Sequence, residues 1–197
     1  MFAKIGRLSL STSGTNPLRA DAAGSLITMQ GGKYSEAAEA GRLFHIANQA
    51  AVAVTAALAT TYTGLAVGNP VGSGVNLSLV NAGYGTTVVG VSVGTVGLMD
   101  GLGSITASLT PANALSGGPA SKALATAGQT IGTPVLKRVL GITGTGAVTT
   151  WQTQPCNFDL DGSMVIAPGY FVAFYCFALA TAALQFSLTW EEKLILP

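Results

Sequence analysis

Ionised side chains are scarce in this chain of 197 residues: Asp, Glu, Lys and Arg together make up 9% of it, against roughly 25% in an ordinary soluble domain. Nine Lys and Arg balance eight Asp and Glu to a net charge of +1. A molecule so nearly neutral has no long-range field to gather polyanions, which excludes nucleic acid and anionic lipid as its main partners. Histidine occurs once and cysteine twice, too few for a metal cluster or a disulfide framework. Cys156 and Cys176 form no CxxC pair, and the sequence carries no export signal that would favour oxidation, so free thiols are expected. What is abundant is apolar and small: 49% of the residues are hydrophobic and 26 are glycine. A chain of this length buries a real core as one main domain and is no disordered tail.

The charges are unevenly placed. Lys4, Arg7, Arg19, Asp21, Lys33, Glu36, Glu39 and Arg42 all precede Leu43, whereas Leu43 to Met99 and Gly162 to Trp190 contain no Asp, Glu, Lys or Arg. Surfaces that end against another subunit lose charge at their centre, because burying an unpaired charge costs several kcal/mol. The uncharged stretches therefore suggest subunit interfaces, with a Ser- and Thr-coated solvent surface as the alternative.

A membrane span is not expected. The uncharged run Met164 to Phe186 is broken at Pro168-Gly169, and the unbroken part, Tyr170 to Leu184, is shorter than the roughly 20 residues a spanning helix needs. Ala50 to Gly68 is rich in Ala and Thr and would insert poorly. Lys4 and Arg7 are followed by a Ser-rich stretch rather than the apolar core of a signal peptide.

Period-two alternation is the dominant pattern. Leu184, Phe186, Leu188 and Trp190 alternate with Gln185, Ser187, Thr189 and Glu191, the signature of a half-buried strand. Similar alternation appears at Val75 to Leu79, Val89 to Val93 and Ile105 to Leu109. Tyr170 to Phe177 is apolar on both faces, as a central strand would be. Turn clusters such as Asn69-Pro70-Val71-Gly72-Ser73-Gly74 and Asp159-Leu160-Asp161-Gly162 separate these runs. Two helices are candidates, Ser35 to Gln49 with a weak point at Gly41, and Pro119 to Ala127 before Gly128. The expected fold is all-β, a jelly-roll-like antiparallel β-sandwich over residues 43–197, with an extended N-terminal arm over 1–42 and little helix.

Motifs for chemistry are weak. His45 would have to serve every Ser-His or Cys-His scheme, yet it stands between Phe44 and Ile46 and reads as structural. Asn157 to Gly162 resembles the first half of a calcium loop, but Pro168 stands where the closing Glu belongs, so a polar turn is expected. Phosphate-loop and dinucleotide fingerprints fail on glycine spacing. Paired carboxylates for glycoside hydrolysis have no support in the spacing of Asp100, Asp159, Asp161, Glu191 and Glu192.

The segments Gly31 to Ala38, Thr63 to Val67 leading into Asn69 to Gly74, Met164 to Gly169, and Thr189 to Glu192 follow one another in an order that resembles small virion structural proteins of tailed bacteriophages, including head decoration or cement proteins. The likeness covers about residues 31 to 192. It implies a jelly-roll-like sandwich, a homotrimer that clamps major capsid protein subunits on the outer surface of the virion, no enzymatic activity and no cofactor. On this view Lys4, Arg7, Arg19, Lys33 and Arg42 are the candidate capsid contacts. The competing class is a receptor- or glycan-binding module of a phage spike, head fibre or tail fibre. Exposed aromatics in a shallow groove, with Tyr62, Tyr84 and Trp151 as candidates, would mark that class, although such residues more commonly pack in a core or interface.

Overall fold

The computed structural model describes residues 32–50, 52, 58, 61–86, 94–143, 156–177 and 184–195. The chain divides into two compact units, Met1–Ser35 and Glu36–Pro197. In the second unit the elements run β1 (Leu43–Ala47), β2 (Thr61–Gly68), β3 (Val75–Thr86), β4 (Gly94–Leu102), β5 (Ala112–Asn113), β6 (Leu124–Thr130), β7 (Val135–Thr143), β8 (Asn157–Asp159), β9 (Val165–Ile166), β10 (Tyr170–Phe177) and β11 (Leu184–Leu194), after the short helix α1 (Ser35–Glu39).

Two antiparallel sheets form a sandwich. Sheet one has the order β5-β1-β11-β3-β8, with β9 also pairing β3, and sheet two has the order β6-β2-β10-β4-β7. If β5 and β6 are set aside and β8 with β9 is taken as one broken strand, chain order across sheet one is first, eighth, third, sixth. Across sheet two it is second, seventh, fourth, fifth. That is the jelly-roll order. Tyr170–Phe177, apolar on both faces in sequence, is the middle strand of sheet two.

The core lies between the sheets. Phe174 of β10 stacks on Phe186 of β11 at 4.3 Å between ring centroids, and Phe44 stacks on Trp190 at 6.1 Å. The alternation along β11 sends Leu184, Phe186, Leu188 and Trp190 inward and Gln185, Ser187 and Lys193 outward. Between Thr189 and Trp190 the pairing with β3 shifts by one residue, a β-bulge that accommodates Val80.

Both expected helices are corrected. The helix starting at Ser35 stops at Glu39, because Gly41 adopts a left-handed φ of 68°. There the Gly41 amide donates to Ala38 O and the Arg42 amide to Ala37 O, a Schellman closure that turns the chain into β1. Pro119 to Ala127 forms no helix: Glu192 Oε1 accepts from Ser121 Oγ at 2.6 Å and from the Lys122 amide at 2.8 Å, and Leu124 onward pairs with β2 as β6. A tertiary acceptor here outcompetes local helix bonding. Ile105 to Leu109 is not a strand either, apart from an isolated bridge between Leu109 and Ala125. Its alternation has another cause, for Ile105 drops onto the outer side of sheet two at Gly68. The expected strand at Val89 to Val93 lies outside the described residues.

Candidate functional site

The outward positions of sheet one form cross-strand rows. Ala47 pairs with Ser187, Ser187 with Gly83, and Gly83 with Asn157. One step along the strands, His45 pairs with Thr189, Thr189 with Asn81, and Asn81 with Asp159. Neighbouring strands lie about 4.8 Å apart, so each row presents a polar or small group at that spacing.

Over the first row opens a groove of about 530 Å³, lined among others by Asn48, Gly83, Gly85, Asn157, Gln185 and Ser187. Asn48 closes one end. Its Oδ1 accepts from the Phe186 amide and its Nδ2 donates to the carbonyls of Ala50 and Leu184. The floor is glycine. A Cβ on Gly83 would stand 2.7 Å from Ser187 Oγ and 3.3 Å from Asn157 Oδ1, so these oxygens converge over the backbone from two sides. A Cβ on Gly85 would meet no described residue within 4 Å.

His45 points outward although Phe44 and Ile46 are buried, because neighbours along a strand face opposite ways. Its Nδ1 lies 3.0 Å from Thr189 Oγ1, and partial burial holds the imidazole below its ordinary range. Cys156 and Cys176 are both free thiols, the first partly exposed and the second buried. Burial pushes the Cys176 thiol up. Among the described residues no group of three His, Cys, Asp or Glu is placed to hold a metal ion. Asp161 and Gly162 instead take left-handed φ of 49° and 76° as a tight turn.

The candidate aromatics divide. Tyr62 is fully buried, its OH donating to Leu65 O at 3.4 Å, and Tyr84 stacks on Phe158 at 5.9 Å with its ring in the core. Trp151 lies outside the described residues. Of the candidate capsid contacts, Lys4, Arg7 and Arg19 also lie outside them. Lys33 Nζ sits 5.4 Å from the Tyr34 ring centroid in the first unit. Arg42, in the second unit, reaches both Glu36 and Glu191 at 3.4 Å, and Glu191 also meets Lys193.

A second surface was not legible in the sequence. At the end of the sandwich formed by the turns 69–74 and 167–169, Val71, Leu102 and Leu194 are 87%, 66% and 75% exposed, with Tyr170 and Ile195 beside them. The register joins them: Tyr170 pairs with Leu102, the Gly103 amide donates to Gly169 O, and the Ile195 amide donates to Gly74 O. The Val71 turn is rigid, with Gly72 at φ 78° and Ser73 N bonded to Pro70 O. Asn69 Nδ2 anchors it further, donating to Val75 O at 2.7 Å and Ile166 O at 2.9 Å. Comparison with protein-family models, with curated proteins and with solved structures gives no match for this chain.

Proposed function

We propose that this chain is a structural assembly protein, and in particular a decoration or cement protein that forms a homotrimer and bridges major capsid subunits on the outside of a tailed-phage head. The observation that carries the reading is the apolar end built from Val71 on its turn, from Leu102, Tyr170 and Leu194 at strand ends, and from Ile195, all open to solvent. Isolated exposed leucines need no explanation, whereas a contiguous apolar patch marks a contact surface. Lack of charge between Leu43 and Met99 points the same way. The reading assigns no catalytic residue and no cofactor.

Magnitudes say how such a patch works. Burying a Val or Leu side chain is worth about 1.5–3 kcal/mol, so five give a gross gain on the order of 10 kcal/mol. Association costs about 4–15 kcal/mol. One patch therefore holds weakly, and a trimer attached at several points holds by effective concentration. In the division of labour we propose, the apolar surfaces join copies of the chain and the cationic N-terminal segment meets the shell.

Mass photometry together with co-sedimentation on undecorated, expanded heads tests this. The wild-type chain is expected to be trimeric and to pellet with the shells. Val71→Asp combined with Leu102→Asp and Leu194→Asp should lose the trimer, while deletion of residues 1–34 should abolish shell binding and leave the trimer. A chain that stays monomeric and ignores shells overturns the reading.

A further inference from the structure

We propose that the groove on the outer face of sheet one is a binding site for a neutral glycan. This is independent of the assembly reading, which uses the opposite end of the sandwich and the N-terminal segment.

The chemistry of the groove selects its ligand. Beside Asn48, whose amide is committed to the backbone, and the Cys156 thiol, its hydrogen-bonding side chains include the amides of Asn157 and Gln185 and the hydroxyl of Ser187, all directed outward and engaged by no hydrogen bond within the described residues. Among the described residues no Lys or Arg lines it, so none of them would neutralise a phosphate, sulfate or carboxylate there. An extended peptide could not add to it as a strand, because β11 and β3 are interior strands paired on both sides. What remains is a neutral ligand bearing many hydroxyl donors and acceptors at close spacing. Sugar hydroxyls fit such amide and hydroxyl partners: Gln185 and Ser187 stand two residues apart on β11, about 6.8 Å along the strand, and the side-chain oxygens of Ser187 and Asn157 reach toward each other over Gly83.

The glycine floor supplies the room. Ser187 Oγ and Asn157 Oδ1 converge over Gly83, and no described residue comes within 4 Å of a Cβ on Gly85. Among the described residues no aromatic ring lies exposed in the groove for a sugar to stack on, since Tyr84 and Phe186 line it from the core side. Affinity per site should accordingly be weak, about millimolar, and useful when several copies act together.

The experiment is a glycan array carrying neutral, sialylated and sulfated oligosaccharides, followed by NMR titration of the full chain with the best neutral oligosaccharide. Gly85→Leu should place a side chain in the groove where no described residue stands within 4 Å of its Cβ, and is expected to weaken binding at least tenfold with an unchanged melting temperature. Asn157→Ala with Gln185→Ala, which removes two outward amides bonded to nothing else, should do the same and decides the matter if Gly85→Leu fails to fold. Val139→Ser, on the exposed edge strand of sheet two, should bind as wild type. The proposal is overturned if no neutral glycan binds, if only the sialylated or sulfated ones do, or if binding survives both groove variants. Oligomer mass is measured on every variant, and an unchanged mass with lost glycan binding separates this site from the assembly surface.

Discussion

The outer faces of the two sheets differ in chemistry and in what covers them. On sheet one the outward positions are Ala47, Ser187, Gly83, Asn157, His45 and Asp159, polar or small, with a groove above them. On sheet two they are Ala66, Met99, Phe171 and Ala173, all at 0% exposure. The cover there comes from the chain itself. Ile105 lies against Gly68, and a Cβ on Gly101 would stand 2.7 Å from Phe171 Cζ and 2.9 Å from Thr133 O, so the connection between β4 and β7 closes directly onto the strands. A jelly roll has two outer faces, and this one covers the apolar face internally while leaving the hydrogen-bonding face open. The difference shows why overall hydrophobicity is a poor guide to which surface meets a partner: much of the apolar content that suggested interfaces is consumed beneath this connection.

Breaking the covered face should have the largest effect. Phe171→Ala removes a fully buried ring from the outer face of the middle strand of sheet two and is expected to cost about 3–5 kcal/mol. At about 2–4 °C per kcal/mol for a chain of this size, the melting temperature should fall by roughly 10 °C in calorimetry. A loss as small as that of a surface substitution would mean that the connection does not seal this face.

Next comes the clamp that fixes the connection at its far end. Glu192 Oε1 accepts from Ser121 Oγ, Lys122 N and Ala123 N. Glu192→Ala should cost about 1–3 kcal/mol by leaving the Ser121 hydroxyl and the Lys122 amide without their acceptor, while the Ala123 amide keeps Ser121 Oγ at 3.0 Å. It should also speed limited proteolysis between Pro111 and Lys122 while β3 and β11 stay protected. Equal loss of protection in both sheets would argue against a local clamp.

The pH profile sharpens the contrast between interior and open face. Burial pushes up Tyr62, Tyr84 and the Cys176 thiol, with the nearby Cys156 adding to the effect on Tyr84. The unfolded chain loses those protons first, so their stabilisation is full below about pH 9, begins to fall at the unfolded-state range of about 9–10 and goes on falling as pH rises toward and through the raised folded-state values. His45 is shifted the other way. Below about pH 6.5 the unfolded state takes up a proton that the folded imidazole resists, so stability falls on acidification. Melting temperatures measured from pH 5 to 10.5 should therefore decline at both extremes, more steeply on the alkaline side. His45→Gln should flatten the acid side alone.

The smallest stability effect belongs to the open face. Gly85→Leu should change stability within about 0.5 kcal/mol, as surface substitutions usually do. A cost of several kcal/mol in chemical denaturation would show that Gly85 is packed and that the groove is closed in solution.

Much of the fold was readable in the residues. The alternation of β11, the doubly apolar β10 and the turns at Asn69 to Gly74 and Asp159 to Gly162 report local physics: side chains alternate across a strand, and turn residues supply the dihedrals. Elsewhere local reading failed where a distant group intervened. The Pro119 to Ala127 segment is held in extended form by Glu192, more than sixty positions away, and the alternation at Ile105 to Leu109 reflects one side chain dropping onto Gly68. β2 emerges from an Ala- and Thr-rich run that was weighed as a membrane span, and β7 carried no alternation to announce it. The groove was unreadable because Ala47, Gly83, Asn157 and Ser187 meet only through register.

Composition and periodicity, then, determined by themselves that this chain would bury a large apolar core in strands with few charges, since those properties act between residues close in sequence. Which outward face is sealed, which is bare, and which apolar side chains project at the end of the sandwich were decided only by tertiary structure. The reason is that strand pairing and the packing of the β4–β7 connection bring together residues whose sequence separation leaves no periodic trace.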